Sequence, residues 1–221
     1  MRTWTDKEIA NLDQVKRLHL INSITGIKPA NLIATENPEG QCNLGIFSSV
    51  VHLGSQPALL GFVLRPSMNG NRHTYENIKS TGIYTINAVD QNCVDKAHYT
   101  SAPFDREACE FAEVGLNRKQ YDGFDGIFVK ESPIQIGMEF LQEIPIEANQ
   151  TRLIVGEVKF VAIQDSSGAI DPINQLDLSK LNLSGISGLN RYYSFEHLAE
   201  FDQARVGEFP VNKKISLHLL N

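Results

Sequence analysis

Cysteine, methionine and tryptophan are scarce in this chain: three, three and one in 221 residues. Cys42, Cys93 and Cys109 are odd in number, widely spaced and without a CxxC pair. That pattern suggests neither a disulfide framework nor a zinc site, and three buried or half-buried thiols without chemistry are expected. The six histidines show no HExxH or HxH spacing, so no metal is expected. No apolar run approaches the roughly 18 residues of a membrane span, and Met1–Asp6 lacks the apolar core of a signal peptide. These absences predict a cytoplasmic chain. A net charge of −6 argues against nonspecific binding to nucleic acid or to an anionic membrane. No Ser-His-Asp set, paired carboxylates or GxGxxG fingerprint stands out. No repeat, low-complexity tract or linker divides residues 1–221, which read as one domain.

What is present is ordinary for a soluble protein, 42% hydrophobic and 21% charged, with one informative stretch from Asn43 to Asn87. It reads as strand, strand, polar loop, short helix, strand, with apolar runs closing at Val50–Val51, spanning Leu59–Leu64 and spanning Ile83–Ile86. The loop Arg65–Thr74 (RPSMNGNRHT) carries two arginines, a histidine and two hydroxyls. Thr74, with Asn77 three residues on, predicts an N-cap for a helix ending near Gly82. Unpaired N–H groups at that end, with Arg65, Arg72 and His73 beside them, outline an anion pocket suited to a phosphate. Taken alone, arginines in a polar loop read as solvated surface charge. Two features shift the reading toward a cleft floored by strands: small and polar residues over Asn43–Ser49, and a strand exit at Leu64–Pro66.

Elsewhere, Thr5–Glu8 has capping-box form, and Ile9, Leu12, Val15 and Leu18 follow at helical spacing, predicting a helix, broken once, over the sheet. Asn31–Glu36 reads as a strand, Asn37–Gly40 as a turn, and Cys42–Val51 as the partner strand. A helix over Arg106–Glu113 is stopped by Gly115. A short strand at Ile127–Val129 and long ones at Ile134–Ile146 and Arg152–Ile163 follow. A short helix is expected over Glu196–Ala204. At least six strands suffice for a small Greek-key barrel.

The ordered set Asn43–Ser49 (NLGIFSS), Pro57, Leu64–Pro66, Arg72–Ile78 (RHTYENI), Gly82–Asn87 (GIYTIN), Ala97–Ala102, Glu110–Phe111 and Gly115–Leu116 resembles the flavin reductase-like, FMN-binding split-barrel family, in its flavoredoxin-like branch. The resemblance covers a core of about 20–165, leaving 166–221 as a C-terminal extension. It implies a mostly β split barrel with peripheral helices that binds FMN and takes hydride from NADH or NADPH. An electron-transfer flavoprotein serving a redox partner, with little turnover alone, is the alternative. The implied flavin contacts are Asn43, Gly45, Phe47, Ser48, Ser49, Val50, Leu64, Arg65, Pro66, Arg72, His73, Thr74 and Asn77, with Gly45 and the Ser48–Ser49 backbone at the ring and Arg65, Arg72, His73, Thr74 and Asn77 around the ribityl chain and phosphate. No protein side chain is expected to act as a catalytic group, since hydride chemistry belongs to the cofactor. A homodimer with the flavins near the interface is also implied. His98 or Tyr99 either flanks the ring or packs beneath the loop. Arg191, Tyr192 and Tyr193 either line the site or cover the barrel.

Overall fold

The apolar stretches fold, among the described residues, as twelve strands and five α-helices. The structure is a computed structural model that describes residues 1–66, 73–166 and 168–212. Thr5 and Glu8 close the expected capping box at the start of α1 (Asp6–Ala10), and the Asp13 carboxylate caps α2 (Gln14–Ser23). The break therefore falls between them, but neither helix buries a residue, and Val15, Leu18, Ile21 and Ile24 are exposed. The expected cover over the sheet is corrected here: α2 is tied on by polar links, including Arg65 Nη2 donating to Asn22 Oδ1 at 2.8 Å.

After β1 (Lys28–Pro29), the hairpin of β2 (Asn31–Glu36) and β3 (Cys42–Phe47) turns on Asn37, whose Oδ1 accepts from the N–H groups of Glu39 and Gln41. The run expected to reach Val51 is split at Ser48–Val50, and β4 (Val51–Ser55) starts anew against β5 (Ala58–Leu64). The cause is Ser49, whose hydroxyl accepts from the Val63 N–H at 3.0 Å and donates to the Val63 carbonyl at 3.1 Å, substituting for a backbone partner. α3 (His73–Thr81) ends on Gly82 at φ +73°, whose N–H donates to the Ile78 carbonyl. β6 (Ile83–Ala88) and α4 (Val94–Tyr99) lead to α5 (Glu110–Val114), which begins later than the sequence suggests and is stopped by left-handed Gly115. β7 (Arg118–Tyr121) with β8 (Phe124–Val129), and β9 (Ile134–Ile146) with β10 (Thr151–Ile163), form two hairpins. β11 (Ser184–Ser187) and β12 (Arg191–Ser194) join β1 in a small sheet. The helix expected over Glu196–Ala204 is absent: residues 195–204 have no regular structure. Leu198 and Phe201 stay exposed, so no packing supports so short a helix.

Seven strands form one antiparallel sheet in the order β3-β2-β6-β9-β10-β5-β4. The β9–β10 hairpin is inserted between β6 and β5, so the chain must cross over through α3, a Greek-key connection. β3 and β4, at the two ends, do not pair, and the barrel is split there. Alternation puts Ile33, Phe62, Ile86, Met138 and Ile154 into one apolar cluster with Ile78 of α3. Leu32 and Leu44, on the other face, pack against Phe111 and Ile127. No described helix is long and apolar enough to cross a membrane.

Candidate functional site

The first turn of α3 is docked on β3 by side-chain amides. Asn43 is buried on β3 and satisfied when its oxygen accepts from the Thr74 hydroxyl at 2.9 Å and the Leu44 N–H at 3.2 Å, while its nitrogen donates to Glu110 Oε1 at 3.3 Å. Asn77, one turn further along α3, donates to the Thr35 hydroxyl of β2 at 3.1 Å. Thr74 thus lies inside the helix, in its first turn, and its hydroxyl is turned to the sheet; the expected N-cap role is corrected. Gly45 faces the same turn. A Cβ there would stand 3.3 Å from Phe47 Cε2 and 3.9 Å from Thr74 Oγ1, so glycine keeps the floor between strand and helix low. Phe47 closes that floor against Phe62, ring centroids 5.1 Å apart and nearly perpendicular. Val50 packs against the same cluster, and Ser48 is half-buried in the bend.

Two recesses flank this turn. One, of about 70 Å³, is lined by Leu64, Arg65, Pro66, Tyr75, Gln150 and Arg152. The other is shallower and is lined by Asn37, Gln41, Cys42, Asn43, His73, Asn77 and Arg106. The expected residues are therefore divided, with Leu64, Arg65 and Pro66 on one side and Asn43, His73 and Asn77 on the other. Arg72 lies outside the described residues. Tertiary structure adds cations that the sequence reading missed. Arg152 reaches the first recess from β10, ion-paired with Glu143 at 2.9 Å and lying over the Tyr75 ring at 5.2 Å. Arg106 reaches the second and is paired with Glu76 of α3. The register of β10 on β5, which sets Arg152 opposite Leu64, is the only signal that could have found it.

Behind Asn43 sits Glu110, a buried carboxyl whose Oε2 accepts from the Leu44 N–H at 3.2 Å. Burial raises its pKa, opposed by the backbone hydrogen bonds it accepts. Beside it the expectation of three free thiols fails: Cys42 and Cys109 are joined in a disulfide, and Cys93 alone is free. The strand start and the approach to α5 bring their Cα atoms to 5.5 Å, a proximity the sequence spacing of 67 does not reveal. Further off, His98 Nδ1 and the Tyr192 hydroxyl are hydrogen-bonded at 3.0 Å, with burial pushing the tyrosine pKa up to about 12. His98 and Tyr192 thus belong to one contact, while Tyr99 is exposed and packs edge-on against Phe104.

A split antiparallel barrel with a helix turn docked on its end strand defines a class, and comparison with known proteins agrees. The model of the flavin reductase-like domain matches residues 27–172. A split-barrel-domain protein from Shewanella frigidimarina is 38% identical, with 92% of this chain and 100% of that one covered and a TM-score of 0.87. This chain belongs to the flavin reductase-like family. Flavoredoxin of Desulfovibrio vulgaris (20% identity, 82% and 91% covered, TM-score 0.66) and an FMN-binding protein from Thermus thermophilus (16%, 90% and 100%, 0.68) share the fold. Membership of this family gives the protein a flavin-related redox function.

Proposed function

We propose that the protein is an FMN-binding, NAD(P)H-dependent flavin reductase. The observation that carries this reading is the low floor at Gly45 beside the first turn of α3, with arginines on both flanks. The cradle fits a flat ring, and the flanking charges fit a phosphate. Bound there, the flavin would supply the chemistry by accepting a hydride from the nicotinamide. The chain's own residues bind and orient it. Gly45 would give the ring room by lacking a Cβ, and backbone N–H groups at Ser48 and Ser49 would face it and stabilise negative charge on its reduced form, with Phe47 and Val50 closing the apolar side. Arg65, with Arg72, His73 and Arg152, would hold the phosphate near the α3 N-terminus. Asn43, Thr74 and Asn77 hold the helix in register with the strand, and Leu64 and Pro66 form the rim.

A homodimer belongs to the same reading. Strand register puts Val51 and Leu53 of β4, Val63 of β5, Leu153 of β10 and Ile144 of β9 on the face of the sheet opposite Phe62 and Ile154. Val51, Leu53 and Ile144 are exposed there, beside the split of the barrel. A second copy would cover this apolar face and the β4 edge.

The test is flavin titration followed by turnover. FMN is expected to bind much more tightly than riboflavin, and Arg65→Ala to weaken FMN by roughly ten- to hundredfold while leaving riboflavin unchanged. With added FMN, the protein is expected to oxidise NADH or NADPH in steady state. Tight flavin binding without nucleotide oxidation would transfer the reading to an electron-transfer flavoprotein; equal affinity for the two flavins would remove the phosphate site.

A further inference from the structure

The Arg118 guanidinium is placed against both sulfurs of the Cys42–Cys109 pair: Nη2 lies 2.9 Å from Cys42 Sγ and 2.8 Å from Cys109 Sγ. Disulfide sulfur is a weak acceptor, whereas an arginine is best matched by anions. Glu36, the nearest carboxylate partner, is 3.8 Å from Nη1, and the Phe111 ring lies 5.8 Å from the guanidinium carbon, so the cation is held over the sulfurs. A static crosslink needs no such cation; a thiolate does. Exposure differs as exchange chemistry would require, with Cys42 almost fully buried and Cys109 half-buried beside a half-exposed arginine.

We propose that Cys42, Cys109 and Arg118 form a second, thiol-based two-electron redox centre that exchanges with a dithiol reductant. A reductant thiolate attacks Cys109 Sγ, the Cys42–Cys109 bond breaks, and its electron pair leaves on Cys42 Sγ beneath Arg118. The reductant's second thiol, losing its proton, then attacks the reductant's own sulfur in the mixed disulfide, and the pair leaves on Cys109. The dithiol becomes a disulfide, and the protein gains two electrons and two protons. Arg118 assists both steps by stabilising the leaving thiolate, since a nearby cation lowers a thiol pKa and a better leaving group departs faster. Cys42 also lines the recess that holds Asn43, His73 and Asn77, so this centre borders the proposed flavin site without depending on it.

The experiment uses the full chain without added flavin. The protein is equilibrated in mixtures of reduced and oxidised dithiothreitol or glutathione and quenched with N-ethylmaleimide, and the modified cysteines are located by mass spectrometry. Cys42 and Cys109 are expected to open and reclose together, with Cys93 modified throughout. In Arg118→Gln the equilibrium should move about tenfold toward the disulfide, or about 30 mV for a two-electron couple. Iodoacetamide should modify reduced Cys109 about tenfold more slowly in that variant at neutral pH, and Arg118→Lys should recover part of the loss. A bond that survives excess reduced dithiothreitol is a static crosslink and overturns the proposal. So do three free thiols that oxidised glutathione fails to couple, or an Arg118→Gln variant indistinguishable from the parent.

Discussion

The Asn43 amide and the Thr74 hydroxyl meet at 2.9 Å across 31 residues of sequence, joining β3 to the first turn of α3. This bond sits where the proposed flavin would lie between strand and helix. Thr74→Val keeps the shape and removes the hydroxyl, leaving the buried Asn43 one partner short. The expected cost is about 1–3 kcal/mol in urea unfolding of the flavin-free protein, with Thr74→Ser close to the parent. A Val variant as stable as the parent would mean that the amide is satisfied elsewhere.

Glu110 gives a pH dependence of definite sign. Its folded pKa is raised above 4.5 by burial, so between 4.5 and the folded value the native state binds more protons than the unfolded chain. Stability therefore falls as pH rises through that window, and the penalty stays at higher pH. Glu110→Gln removes the titration. The parent's stability minus that of Glu110→Gln is expected to be lower at pH 8 than at pH 4.5, read from paired urea melts. A difference that rises with pH would show that the backbone hydrogen bonds from Glu110 and Leu44, which favour the ionised form, outweigh desolvation.

Tyr84 and Gly156 test packing in the barrel. The Tyr84 hydroxyl is buried with no hydrogen-bond partner among the described residues, and burial raises its pKa. A Cβ at Gly156 would overlap that hydroxyl and approach the Glu139 carbonyl at 2.9 Å. Gly156→Ala is expected to cost about 1–3 kcal/mol by overpacking. Tyr84→Phe should be neutral or slightly stabilising, because it removes a polar group that folding leaves unpaired. In the double variant part of the Gly156→Ala cost should return, measured as a non-additive thermal shift.

The outward face of β4, β5, β9 and β10 predicts the assembly state. Light scattering at micromolar concentration is expected to give a dimer for the parent and a monomer for Leu53→Glu with Ile144→Glu. Both residues are exposed, so the substitutions should leave folding intact. A parent that runs as a monomer would leave this face without the proposed partner.

Local chemistry made much of the barrel legible. Apolar runs, the Asn37–Gly40 turn and the glycines at 82 and 115 act within a few residues, so β2, β9, β10 and the ends of α3 and α5 could be read directly. The order of NLGIFSS, RHTYENI and GIYTIN carried the family. Sequence also brought out six of the thirteen residues that line the two recesses, because those six are contributed by β3, the exit of β5 and the start of α3, which are near in the chain. Other features came only from tertiary structure. The exposed stripe on α2 and the missing helix over Glu196–Ala204 show periodicity without a surface to bury it. Ser49 broke a strand because β5 offered its hydroxyl both a donor and an acceptor. Thr74 left the cap position because Asn43 was across the gap. Arg152 and Arg106 entered the recesses, and Arg118 met two cysteines, through strand register and helix docking. Those contacts join residues far apart in sequence, and local propensity holds no information about which distant side chain will arrive.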